Sequence, residues 1–449
     1  SDISLGSGRT SSFALVVNQG GTFNGGSGNH TIGSIEVKNN SNAKMDFTSA
    51  NTTVDSEKTG DNRNIVTNVN STVTHSNGTI IMTFAGNTEI SWESTTSGNE
   101  GPYNFTVNNA SAIQRSRRSP FRVLGDLRLI AGEYNTLSGD SGADLDLTVT
   151  GNVIITGGGL VCNSSTVSVN SFTISAGGVL SAPDASGSLT INGTLSAWSF
   201  QNNSTGFSHN NGTITQTNAG HIKSVSSNPM YNFILNSSSS DSHEAVFRPS
   251  SGTDCVIAAN DVTITRGVVK LNTVSNNASM GSLTIGSTGT FQASSGTTTI
   301  TDETTGGYGL INSGTYTHNK GKLKIDFNTP NKNAHTIIQV NDLYDLEIDM
   351  NASNYEVKFD DTSGNATNIL NNLDITQGVF ESKDNGDTLT IHGLTRITSN
   401  GTFMPDANHD TNKIIHNGLV TNEGTYKIND GTTVKMNAGI RNLGTITVA

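Results

Sequence analysis

Tyr344-Asp-Leu-Glu-Ile348, Asn371-Asn-Leu-Asp-Ile-Thr-Gln-Gly378, Thr388-Leu-Thr-Ile391 and Asn422-Glu-Gly-Thr-Tyr426 follow one another in the last part of this chain. The same kinds of module occur twice before, in the same order. One earlier copy holds Tyr231-Asn-Phe-Ile-Leu235, Asn260-Asp-Val-Thr-Ile-Thr-Arg-Gly267, Ser282-Leu-Thr-Ile285 and Asn312-Ser-Gly-Thr-Tyr316. The other holds Tyr103-Asn-Phe-Thr-Val107, Gly125-Asp-Leu-Arg-Leu-Ile-Ala-Gly132, Ser188-Leu-Thr-Ile191 and Asn211-Gly-Thr-Ile214. The tyrosines lie 128 and then 113 residues apart. Four modules recurring in order define a large repeat, and such a repeat is the sequence signature of stacked architectures.

A smaller period lies inside the large one. Gly401-Thr-Phe403, Gly424-Thr-Tyr426 and Gly444-Thr-Ile446 are 23 and 20 residues apart. Triplets such as Leu389-Thr-Ile391 alternate apolar and polar, as half-buried strands do, and are bounded by Asn, Gly, Ser or Asp. Short strands with no helical segment between them predict an all-β chain folded as a parallel β-solenoid, or β-helix. One rung cannot bury its own apolar face, whereas a stack buries a continuous column. At roughly 20 residues per rung, a continuous solenoid has about 22 rungs and, at ~4.8 Å each, a length of roughly 100 Å. Val, Ile, Leu, Phe and Tyr are expected inside, with Thr, Ser and Asn outside and asparagine ladders in the turns. The alternative is a tandem array of β-sandwiches, which calls for longer strands joined by hairpins.

The repeats divide the chain into a divergent block, 1–102, and copies at 103–230, 231–343 and 344–449. The block already carries one related turn, since His75-Ser-Asn-Gly-Thr-Ile80 resembles His209-Asn-Asn-Gly-Thr-Ile214. The chain opens on Ser-Asp-Ile without a Met and ends inside the strand-like Thr445-Ile-Thr-Val-Ala449 with no polar cap. The expectation is an excerpt that continues or abuts another chain.

Composition agrees with a β-rich chain of polar turns: 49 Gly, 7 Pro, 33% apolar and 14% charged residues. Low proline argues against a linker and low charge against a charge-rich disordered chain. A net charge of −12 argues against a nucleic-acid partner. No apolar run approaches 18 residues, so no membrane-inserted helix is expected. Cys162 and Cys255 form neither a disulfide framework nor a zinc site. A single bridge and two buried thiols both fit, and the lack of any linking spacing favours thiols.

Signatures of catalysis are missing: no Gly-x-Ser-x-Gly elbow, no His-Glu-x-x-His, no phosphate loop. His75, His209, His318 and His416 each sit near an Asn-rich turn, which points to turn roles. The tightest acidic pair, Asp360-Asp361, lies in a Gly/Asn-rich turn and reads as solvated charge. Asp140, Asp144 and Asp146 alternate closely enough to suggest a calcium loop, but the glycine-aspartate nonapeptide of calcium-binding β-rolls is absent. Arg115, Arg117, Arg118 and Arg122 form one basic cluster. It suits an acidic glycan, an acidic subunit or a dibasic-cleaving protease, against the plainer reading of a solvated insert. Trp92 and Trp198 are candidates for stacking on sugars, with packing as the alternative. Sequons at Asn51, Asn77, Asn104, Asn192, Asn211 and Asn400 are expected from composition alone.

The pairing of Tyr-Asn-Phe-x-apolar with a downstream Asp-apolar-x-Ile-x-x-Gly, together with Asn-x-Gly-Thr-Tyr/Phe, resembles the tandem repeats of large bacterial surface adhesins and of β-helical phage virion proteins. The resemblance spans most of 103–449. It implies a non-enzymatic extracellular shaft on a virion or bacterial cell surface, whose partners are copies of itself, other fibre or surface proteins, and cell-surface glycans. It carries over no catalytic residue and no cofactor. Two further readings stay open: a carbohydrate-binding β-helix module, and a β-helical polysaccharide lyase or glycosidase, which would need carboxylates converging on one rung face.

Overall fold

The computed structural model describes residues 14–58, 62–93, 98, 100–193, 197–223, 227–249, 253–271, 277–304, 306–327, 342–359, 367–382, 388–405 and 413–448, and the backbone of 3–4, 9–11 and 336–337. The Asp360-Asp361 pair falls outside the described residues. The fold is all-β, with parallel sheets wound into the stacked coils of a β-solenoid. The sandwich alternative fails because its hairpins require antiparallel pairs; among the described residues the one antiparallel contact is the isolated bridge Leu137–Asp144. Among the described residues no helix is long and apolar enough to cross a membrane. Coils average about 23 residues and number about 16, fewer and longer than the 20-residue rungs expected. The Gly-Thr steps at 401, 424 and 444 do keep the short spacing, but other coils carry longer corners and excursions such as 136–146.

The chain divides into two units, Ser1–Asn228 and Pro229–Ala449. In the first, one coil runs through 104–107, 112–116 and 121–123, and the next through 127–129, 133–135 and 147–149. Side chains alternate across each strand, so Phe105, Val107, Leu127 and Leu129 are fully buried in the core; between them Arg128 is exposed, whereas Thr106, on the opposite side of its strand, is covered. Phe105, Phe121 and Tyr134 pack ring on ring at 5.3 and 5.4 Å. In the second unit Phe359, Phe380, Phe403 and Tyr426 form a comparable column, with centroids 5.1, 5.7 and 4.9 Å apart. Cys162 and Cys255 are buried free thiols.

The tyrosine module and the Asp/Asn module that follows it are adjacent coils in register. Phe105 pairs with Leu127, Phe233 with Val262 and Leu346 with Leu373. The residue after each tyrosine makes the link. Asn104 Oδ1 accepts the Asp126 N–H at 2.9 Å, Asn232 Oδ1 the Asp261 N–H at 3.2 Å, and Asp345 Oδ1 the Asn372 N–H at 2.9 Å. In the first unit Asp126 Oδ1 then accepts from both the backbone and the amide of Asn152, at 3.0 and 3.1 Å. These ladders satisfy corner backbone groups that no strand partner reaches. Asn232 also accepts the Asn260 amide at 2.8 Å. Asn232→Ala is therefore expected to cost about 1–2 kcal/mol, by leaving both donors without their acceptor, measured as a lower urea midpoint than the wild type.

Successive repeats do not keep the same face. In the second unit the column Thr298–Leu323, formed by the third strand of each coil, continues into Leu346, the first strand of the next copy. In the first unit Thr52–Ile80 continues into Phe105 in the same way. A His-x-x-Gly turn leads into this handover strand. Ser76 and Asn77, Asn210 and Asn211, and Asn319 and Lys320 all take positive φ. The third residue of each turn donates its N–H to the histidine Nδ1, at 2.9 Å for His75, His209 and His318 alike. The glycine is required because a Cβ at Gly78 or Gly212 would lie 2.0 Å from a carbonyl oxygen of the preceding coil, and at Gly321 2.1 Å. His75 and His318 stack on Tyr103 and Tyr344, the next repeat's first residue, at 5.2 and 5.7 Å.

His416 departs from the turn role expected of it. It lies in the strand Lys413–His416, fully buried, with Nδ1 at 2.8 Å from Thr395 Oγ1 and Nε2 at 2.9 Å from the Tyr426 hydroxyl. Two of the four sequence modules are also not equivalent. Ser282–Ile285 stacks on the Asp261 module, whereas Ser188–Ile191 stacks on Thr166–Val169 and Thr388–Ile391 follows the strand Thr367–Ile369. Likewise Thr315 and Thr425 stack on Thr290 and Thr402, but Ile214 stacks on Leu189. A short in-out-in triplet between turn residues fits any face of a coil.

Candidate binding surface

The basic cluster begins at the end of the strand Asn104–Ser116. Gln114 and Ser116 point inward and are buried, and Gln114 Nε2 donates to Thr88 Oγ1 at 2.7 Å. The strand alternation therefore sets Arg115 and Arg117 on the outer face. Arg115 is in register with Glu89, and Glu89 with Arg63. Cation, anion and cation thus stand on three successive coils.

The excursion 136–146 closes over part of this face. Its Ser138 hydroxyl donates to the Arg117 carbonyl. Gly139 packs so close to the Glu89 carboxylate that a Cβ there would lie 2.1 Å from Oε1. Arg117 Nε stands 3.5 Å from Glu89 and its Nη2 3.4 Å from Asp140. Arg118 Nε binds Asp140 at 2.5 Å, while its side chain remains 61% exposed. Hydrogen bonds from Arg118 and then Arg117 hold the Asp140 carboxyl below its ordinary pKa. Burial, then the nearby Arg117 charge, lowers the Arg63 guanidinium. Arg122 lies apart, 3.9 Å from Glu100.

Arg115 differs from its neighbours. It is half-buried, makes no ion pair among the described residues, and its Nε is buried without a hydrogen-bond partner.

The calcium candidates do not come together. Asp140 is held by the two arginines, Asp144 sits in the bridge to Leu137, and Asp146 Oδ1 accepts the Thr166 N–H at 3.0 Å. No group of three His, Cys, Asp or Glu among the described residues could hold a metal ion. Trp92 is 6% exposed and stacked on Phe47 at 5.7 Å, so it offers no ring face to a sugar. Trp198 is half-buried and meets His221 edge-on at 5.8 Å.

Sequence reasoning missed Glu36, Lys38, Lys58, Arg63 and Glu89, which share this surface. Glu36 pairs with Lys38 at 2.8 Å and Lys58 at 3.1 Å. A signal was present: residues 63, 89 and 115 are each 26 apart, one coil, and carry alternating charge. Compared with known protein families, curated proteins and solved structures, the chain matches none.

Proposed function

We propose that the chain is a non-enzymatic structural and adhesive shaft displayed outside the cell, as a bacterial surface adhesin stalk or a phage virion fibre. The observation that carries this reading is which residues recur. Inward residues and ladder residues repeat: Phe105, Phe233 and Leu346, or Asn104, Asn232 and Asp345. The outward residues beside them do not: Thr106, Ile234 and Glu347, then Arg128, Thr263 and Asp374. A repeated catalytic or ligand site would repeat its outward chemistry. Here the repetition serves coil stacking, as a scaffold requires.

Antibodies to the purified chain are expected to label intact, unpermeabilised cells or virions of its source, and external protease to remove that label. Labelling confined to permeabilised material would overturn the exterior assignment. Release of reducing ends or unsaturated sugars from polysaccharides by the purified chain would overturn the non-enzymatic one.

A further inference from the structure

We infer that Arg115, with Arg63, Arg117 and Arg118 around it, forms a single docking site for an acidic polysaccharide, a carboxylated or sulfated glycan chain. The proposal rests on the reading of the chain as an exterior shaft and names what that shaft holds. Three observations carry it.

The first is the local sign of charge. The chain carries −12 overall. On this surface the six cations Lys38, Lys58, Arg63, Arg115, Arg117 and Arg118 outnumber the four carboxylates Glu36, Glu89, Glu93 and Asp140. Burial, and after it the nearby Arg117 charge, lowers the Arg63 guanidinium, against the pull of Glu36 and Glu89. A cation surplus of this kind, local and on an acidic chain, selects for an anionic partner at this place rather than anywhere along the molecule.

The second is Arg115 itself. Among the described residues Arg117 and Arg118 have carboxylate partners and Arg115 has none. A buried donor without an acceptor is costly, and an arginine fork fits a planar carboxylate or a sulfate with two parallel bonds. The ligand oxygens would complete a hydrogen-bond set that the protein leaves open.

The third is what surrounds the arginines. None of the exposed large apolar side chains lies in the strands Ile35–Val37, Arg63–Thr67, Gly86–Trp92 or Asn104–Ser116. A protein partner would need aromatic or aliphatic anchors at the centre of its footprint. A polyanion needs only spaced charges, and Arg63 and Arg115 stand two coils, roughly 10 Å, apart, with Glu89 on the coil between them. At the steps matching Arg115 the later copies carry Val246 and Lys358, and Lys358, unlike Arg115, is paired with carboxylates, Glu356 at 3.1 Å and Glu381 at 2.8 Å.

The test is isothermal calorimetry of the full chain with heparin and with polygalacturonate, at 50 and 200 mM NaCl, for the wild type, Arg115→Gln and Arg396→Gln. At least one of the two polymers is expected to bind the wild type, more weakly at the higher salt. Arg115→Gln is expected to weaken binding about tenfold or more, with an unchanged melting curve, while Arg396→Gln, on the other unit, binds as the wild type. Binding to heparin alone assigns the site to sulfate, and to polygalacturonate alone to carboxylate. The proposal is overturned if neither polymer binds, if Arg115→Gln binds as the wild type, or if polyglutamate or duplex DNA binds as tightly as either glycan. Glycan binding without exterior labelling would sink the shaft reading and keep the site; exterior labelling without glycan binding would do the reverse.

Discussion

Ile391→Asp is expected to destabilise the second unit by about 4 kcal/mol or more, while Thr390→Asp, one residue away, changes stability by roughly 0.5 kcal/mol or less. Ile391 is fully buried in the column between Ile369 and His416. A carboxylate there loses its hydration, gains no cation, and also gives up the transfer free energy of the isoleucine side chain. If the carboxyl protonates instead, the cost reappears as a raised pKa and as stability that improves on acidification. Thr390 is in register with Asn368 and Ile415 on the outer side of the same strand, where a carboxylate keeps its water. Urea titrations of the two variants, beside the wild type, measure the difference. Equal losses, or none in either, would refute the inward–outward register on which the fold rests.

That register was legible in the sequence because it needs only two facts: side chains alternate along a strand, and a stack of coils must bury one set. Gly401, Gly424 and Gly444 announced the coil spacing for a steric reason. A Cβ at Gly424 or Gly444 would stand 2.2 Å from the carbonyl oxygen of the glycine one coil before. What the sequence did not reveal is which face a triplet occupies. Ser188-Leu-Thr-Ile191 and Ser282-Leu-Thr-Ile285 are nearly the same string on different faces. The information lies in the corners between strands, whose length varies. The Asn and Asp ladders mark one corner and the His-x-x-Gly turn another, and together they fix the handover at Thr298–Leu323–Leu346.

The candidate surface was half legible for the same reason. Arg115, Arg117 and Arg118 are contiguous and were visible at once. Arg63 and Glu89 join them only because one coil brings residues 26 apart into register. The calcium reading of Asp140, Asp144 and Asp146 failed because local spacing ignores what a neighbouring coil supplies. Arg117 and Arg118 come from the coil before and neutralise the carboxylate that spacing alone offered to a metal.

His416 gives the chain a built-in acid sensitivity. Burial alone pushes its imidazole down to about 4, against about 6.5 in an unfolded chain. Both ring nitrogens are already engaged, by Thr395 and by Tyr426, and Phe403 packs beside the ring at 5.7 Å. The sign follows from proton binding. Between pH 6.5 and 4 the unfolded chain takes up a proton on this histidine and the folded chain does not, so stability falls with falling pH across that window. The contribution is fully present above about 6.5, is lost by about 4, and is flat below, for a total of roughly 3 kcal/mol. Carboxylates held below their ordinary pKa, such as Glu36 and Asp140, add their own losses at lower pH. His416→Gln keeps those carboxylates and removes only the imidazole. The difference between wild type and His416→Gln in urea stability should therefore shift by about 3 kcal/mol between pH 7 and pH 4 in favour of the variant. Parallel pH profiles for the two proteins would show that this imidazole titrates alike folded and unfolded, and would remove it from the core.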